Sequence, residues 1–170
     1  MLTIREYVRA KSLEEAYALA QKRNNVVLGG MGWLNLQKRN VGTAIDLCDL
    51  GLDAIEETET DYRVGAMVSL RAFEQHQGLQ TLSQGAIAES LKGIVGVQFR
   101  NSATVGGSVY ARFGFSDVTT ILMALEAKVE LYKAGVLTME EFAALPRTRR
   151  DILVRIIIPK AERSICYLSQ

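Results

Sequence analysis

Cysteine, histidine and proline are scarce: the 170 residues include two cysteines, one histidine and two prolines. Cys48 and Cys166 lie far apart and belong to no CxxC or Cys/His pattern, so this chain alone builds neither a disulfide framework nor a zinc or iron–sulfur site. Both read as buried free thiols. His76 lies in the polar run Glu74-Gln75-His76-Gln77-Gly78, which reads as a helix end entering a turn. A Ser-His-Asp or Cys-His mechanism would have to use that one residue, and no catalytic side chain or metal ligand is assigned. An excess of one charge is also missing. Twenty Lys+Arg against 19 Asp+Glu leave a formal charge of +1, which gives no electrostatic case for nucleic acid or an anionic membrane as partner. No apolar run approaches the roughly 18 residues of a membrane span, and the start, Met1 to Lys11, has no apolar signal core. The expectation is a cytoplasmic protein.

The composition, 48% apolar and 23% charged, is that of one globular domain, long enough to bury roughly 70% of its unfolded surface without staples. What is abundant is glycine, at 14 residues. Residues 4–8 read as a strand, and Ser12-Leu13-Glu14-Glu15 as a capping box opening a helix with Leu13, Ala16, Tyr17 and Ala20 on one face. Val26-Val27-Leu28 reads as a short strand entering Gly29-Gly30-Met31-Gly32. A helical turn over 33–38 and a strand over 43–47 complete a small α/β lobe.

From Asp53 the pattern becomes two strands around an acidic tip (Glu56, Glu57, Glu59, Asp61), read as a solvated hairpin with cation binding as the alternative. Ser69 caps a helix to about Gln75, and 79–92 reads as one further helix. The stretch 93–108 is too apolar for a linker and too rich in glycine for an ordinary helix, so it should be packed with its backbone in use. A buried helix after Asp117, a strand over 128–132, a capping box at Thr138-Met-Glu-Glu141 and a strand over 152–158 closed by Pro159 follow. Arg147, Arg149 and Arg150 read as a solvated basic loop, with a phosphate or a partner protein as alternatives.

Two glycine loops carry the functional signal. Leu28-Gly29-Gly30-Met31-Gly32-Trp33-Leu34 is neither a P-loop nor a Rossmann fingerprint, yet consecutive glycines let successive N–H groups converge on an anion. The second loop, Arg100-Asn-Ser-Ala-Thr-Val-Gly-Gly-Ser-Val109, followed by Ser116-Asp117, adds two hydroxyls at Thr104 and Ser108 and a carboxylate at Asp117. Together they suit an elongated polar ligand carrying phosphate.

The pair resembles the flavin subunit, or flavin domain, of molybdenum hydroxylases such as xanthine dehydrogenase and aerobic carbon monoxide dehydrogenase. In that family a strand enters an Ala-Gly-Gly-x-Ser/Asp-Leu loop, later followed by Arg-Asn-x-Ala-Thr-Ile-Gly-Gly-Asn-Ile and Ser-Asp. Ile45-Asp46-Leu47, Val64-Gly65-Ala66 with Ser69, and Asp151 to Pro159 also look like family stretches. The resemblance implies an α+β fold of the vanillyl-alcohol-oxidase type, with a small lobe over about 1–52, a larger mixed-sheet lobe over about 53–170, and FAD between them. It implies backbone contacts from Gly29, Gly30, Met31, Gly32 and Trp33 to the pyrophosphate, with Leu28 and Leu34 beside them in the cofactor site. Thr104, Gly106, Gly107 and Ser108 would line the cofactor, with Asp117 as polar anchor and Ile94 and Leu153 packing against it. The two glycine loops would then form opposite walls. It further implies iron–sulfur and molybdopterin partner subunits, and NAD or another electron acceptor.

Gly32-Trp33, Ser108 and the bulky Ala111-Arg-Phe-Gly-Phe115 depart from the family pattern. The family's aromatic-x-Lys is Tyr167 and Ser169 here, and its C-terminal domain is expected to be absent. The alternative reading is a reduced relative serving as a scaffold or assembly subunit with little or no flavin, in which Trp33 and Arg112 fill the site.

Overall fold

The computed structural model describes residues 1–162 and 164–168, so Ser169 lies outside the described residues. β1 (Thr3–Arg9) leads to α1 (Leu13–Ala20), capped by Ser12, whose hydroxyl accepts from the Glu15 amide. The capping box is displaced by one residue, since the Glu15 carboxylate accepts from the Lys11 amide. β2 (Val26–Val27) and β3 (Asn40–Asp46) complete a parallel sheet in the order β1-β3-β2. Ala16 and Ala20 of α1 pack there against Ile45 and Leu47 in a small core. Residues 32–36 form turns rather than a helix.

β4 (Ile55–Glu57) and β5 (Asp61–Gly65) make the expected hairpin. Three of its acids are ion-paired, Glu56 with Arg155 at 3.7 Å, Glu57 with Lys160 at 2.6 Å and Asp61 with Arg63 at 3.0 Å. α2 (Leu70–Gln75) is capped by Ser69, and His76 ends it and opens α3 (Gln77–Leu82), its Nδ1 accepting from the Leu79 amide. The single helix expected over 79–92 is broken before α4 (Ala86–Lys92), because Gln84 and Gly85 adopt φ of 52° and 84°. The glycine-rich stretch holds two short helices, α5 (Val97–Ser102) and α6 (Val105–Tyr110), where no helix was expected. Tertiary contacts override the low helix propensity of Gly106 and Gly107.

α7 (Asp117–Ala124), β6 (Lys128–Leu131), β7 (Gly135–Thr138), α8 (Met139–Ala144) and β8 (Leu153–Pro159) complete the chain. A five-stranded antiparallel sheet runs β4-β5-β8-β6-β7. The architecture is the expected α+β. The two thiols depart from expectation: Cys48, at a surface 3₁₀ turn, and Cys166 are free and exposed.

Central strand β8 serves two cores. Its pairing with β6 slips between Glu130 and Leu131, leaving Val154 without a partner. Such a bulge inverts the side-chain alternation on either side of it. Leu153, Ile156 and Ile158 therefore share the large core with α2, α4, α6 and α7, whereas Ile152 and Val154 enter the small core beside Ile45 and Leu47.

Under the second glycine loop lies a buried ion pair. Arg100, 6% exposed, donates through Nε to Glu74 at 3.1 Å and through Nη1 to the Ile94 carbonyl at 2.9 Å, tying α5 to α2. Arg71 donates to the same carboxylate at 2.8 Å. Burial pushes the Glu74 carboxyl up, but the hydrogen bonds and charges of Arg71 and Arg100 outweigh it and hold the pKa below the ordinary 4.5. A depressed folded value means that this stabilisation is complete above pH 4.5 and fades as pH falls through the folded pKa. Glu74→Gln should flatten the acid limb of stability below that pH. Arg100→Met should cost about 3 kcal/mol at pH 7; urea denaturation at pH 7 and pH 4 measures both effects.

Candidate functional site

A cleft of about 580 Å³ runs between the loop after β2, the start of α6, the start of α7 and the first residues of β8. Its size falls in the range of small-molecule and cofactor pockets, and its lining is mostly apolar with a few polar groups. Every residue expected at the site lines this cleft except Gly30. Gly30 turns instead into the protein, at φ +80° and so close to the Ser102 carbonyl that a Cβ would stand 2.2 Å from its oxygen.

The glycine loops were expected on opposite walls. Instead they touch. A Cβ on Gly29 would meet the Gly107 Cα at 2.8 Å, and one on Gly107 would meet the Gly29 carbonyl oxygen at 2.5 Å. Gly106 is pressed equally hard on Ala66, with a hypothetical Cβ 2.5 Å from its carbonyl oxygen. These glycines answer first to backbone packing within the protein.

Hydrogen bonding divides the loops further. In the second loop the amides are engaged: Val105 with Val68 O, Gly106 with Ala66 O, Gly107 with Thr104 Oγ1 and Ser108 with Thr104 O. The Ser108 hydroxyl also donates to Thr104 O, at 3.0 Å. In the first loop the amides from Gly29 to Trp33 donate to no acceptor among the described residues. Met31, at φ 59°, holds the strained middle of that run. The first loop is therefore the one with free anion-binding donors.

The remaining expected residues are placed by packing. The bulge sets Leu153 into the large core and the cleft wall, and Ile94 is fixed through its carbonyl by Arg100. Asp117 opens α7, and its carboxylate accepts from the Tyr167 hydroxyl. That hydrogen bond, with burial, pushes the Tyr167 pKa up to about 12. Asp151, the other carboxylate of the lining, is 5% exposed and accepts from the Lys133, Ala134 and Ile152 amides.

Several lining residues were not singled out from the sequence. Arg39 and Arg147 also line the cleft, two positive charges against the carboxylates of Asp117 and Asp151, whose hydrogen-bond donors are all neutral. Arg147, read as part of a solvated loop, donates to the Arg112 carbonyl at 3.0 Å, and Arg150 caps the end of α1 through the carbonyls of Ala20, Lys22 and Arg23. Phe113 and Phe115 join Trp33 in an aromatic cluster on the wall, with ring centroids 5.2 to 5.6 Å apart. The sequence signal for the cluster was present, because both segments depart from the family pattern. That they would meet across 80 positions was not legible.

A family model described as "FAD binding domain in molybdopterin dehydrogenase" matches residues 2–161. The "Uncharacterized protein YgfM" of Escherichia coli (strain K12) is 28% identical over 165 residues, covering 95% of this chain and 61% of that protein. "Probable aldehyde oxidase 3" of Oryza sativa subsp. japonica is 33% identical over 120 residues, covering 64% of this chain and 8% of that protein. Among solved structures, a cyanide-inactivated Cu,Mo-CO dehydrogenase matches with a TM-score of 0.81 and 26% identity, over 94% of this chain and 60% of that chain. The chain thus spans about three fifths of the length of YgfM and of the CO dehydrogenase chain.

The glycine contact has a measurable consequence. Gly29→Ala and Gly107→Ala should each destabilise the fold by about 1–3 kcal/mol through overpacking. Because each disturbs the same contact, the double variant should lose less than the sum of the two. Thermal denaturation of the two single variants and the double variant provides the cycle.

Proposed function

Since the chain belongs to the family of FAD binding domains in molybdopterin dehydrogenases, we propose that it acts as the FAD-binding subunit of a molybdenum-hydroxylase-type oxidoreductase. The type is that of xanthine dehydrogenase or carbon monoxide dehydrogenase, with electrons arriving from an iron–sulfur partner and leaving toward NAD or another acceptor. A molybdopterin subunit and a cytoplasmic location belong to the same reading. Among the described residues, no helix is long and apolar enough to cross a membrane.

The observation that carries the proposal is the run of amides from Gly29 to Trp33, at the edge of the cleft, that donate to no acceptor among the described residues. The residues present fit FAD. The free amides suit a pyrophosphate, Arg39 and Arg147 supply positive charge, and the apolar wall offers Ile94 and Leu153 to ring systems. When bound, FAD supplies the redox chemistry, and the protein contributes position, electrostatics and exclusion of water. In this assignment the amides of Gly29, Met31, Gly32 and Trp33 hold the pyrophosphate. The Thr104 hydroxyl oxygen already accepts from Gly107 and keeps its proton for the ligand. Gly106 and Gly107 bring the backbone close, Ser108 lines the wall beside them, and Asp117 anchors a polar edge. Gly30 contributes shape rather than contact.

The scaffold alternative loses one of its two supports. Arg112 does not line the cleft, because its guanidinium donates to the carbonyls of Leu145, at 2.6 Å, and Phe142. The purified chain should show a flavin absorption band and release FAD on denaturation. A colourless protein that fails to take up added FAD would overturn the proposal in favour of the scaffold.

A further inference from the structure

The cleft carries an aromatic surface that the family pattern does not account for. Phe113 and Phe115 stack with an interplanar angle of 8° and centroids 5.2 Å apart, and Trp33 leans on both, at 5.4 and 5.6 Å. A hydrophobic plug would be expected to bury its rings. Here Trp33 remains 52% exposed and Phe115 66% exposed, although all three line the cleft. The loop that presents the two phenylalanines is pinned at Arg112. The Arg112 side chain holds the carbonyls of Phe142 and Leu145 while the Arg147 guanidinium holds the carbonyl of Arg112, which sits at φ 49°. Backbone strain in a loop pinned in this way is characteristic of functional sites.

Trp33 ends the run of free amides that begins at Gly29. Anion donors that pass directly into an open aromatic face suit a ligand in which phosphate is joined to a planar ring. Resting on the reading of this cleft as the FAD site, we propose that Trp33, Phe113 and Phe115 form a stacking platform for one planar heteroaromatic ring of the dinucleotide. Isoalloxazine and adenine share that chemistry. The substitutions at Trp33 and in 111–115 then act together, a pair of departures that replaces family contacts with ring stacking.

The test is FAD affinity of the full chain, measured by ultrafiltration and flavin absorbance, for the native protein, Trp33→Leu, Phe115→Leu and the conservative Trp33→Phe. Circular dichroism melts check that each variant folds, which exposure at Trp33 and Phe115 favours. The Leu variants should bind FAD about tenfold or more weakly, the scale of a lost ring-stacking contact, and Trp33→Phe should recover most of that loss. Titration with AMP and with riboflavin monophosphate assigns the ring, since only the half that stacks should lose affinity in the Leu variants. Unchanged FAD affinity in folded Trp33→Leu, or losses that appear with neither half, would overturn the platform while leaving the FAD reading intact. Native protein that binds no FAD would overturn both.

Discussion

The backbones of Gly29 and Gly107 lie so close that neither residue has room for a side-chain carbon. Most of the proposed site follows from that contact. It joins the end of the parallel sheet to the start of α6, and thereby brings two segments nearly 80 positions apart onto one cleft. It also separates their roles. The second loop uses its amides on Val68, Ala66 and Thr104 and becomes a rigid backing, while the first loop, held from behind, keeps its donors unengaged. A preorganised anion site needs donors that have not collapsed onto the protein's own carbonyls. The backing loop is what prevents that collapse.

Much of this was legible in local patterns. The strand before the first glycines, the Ser and Thr caps and the closing strand all rest on residues a few positions apart, where propensity and hydrogen-bonding chemistry act directly. Nearly all the residues expected at the site from the two loop motifs reach the cleft. What failed was tertiary in origin. The break between α3 and α4 needs Gln84 in the left-handed region, and helices α5 and α6 exist because Ala66, Val68 and Ala103 supply partners for their ends. Cys48 lies in a surface 3₁₀ turn and Cys166 in a stretch without helix or strand, placements that composition does not mark. Arg100, part of the motif, turned out to brace the loop from below through Glu74 and the Ile94 carbonyl rather than to reach the cleft.

Charge follows the same logic of internal satisfaction. Asp151 holds the turn between β6 and β7, and Asp117 holds the Tyr167 hydroxyl, so both carboxylates have structural work within the protein. Arginine side chains in the same region are divided between bracing carbonyls and lining the wall. The two arginines and two aspartates of the lining cancel in formal charge, so attraction for a phosphate there rests on where the arginines and the unengaged amides of the first loop stand.

The bulge at Val154 gives β8 two allegiances, and this bears on how the molecule comes apart. The small core draws Ile152 and Val154 from a strand whose neighbouring residues belong to the large one. The first fifty residues, with their own sheet and helix, look like a separable unit along the sequence, yet they have no private core. Loss of β8 would open both hydrophobic clusters at once. A proteolytic nick near residue 52 would therefore be expected to leave two fragments that stay associated, and a cleft that keeps its shape for as long as that one strand remains in register.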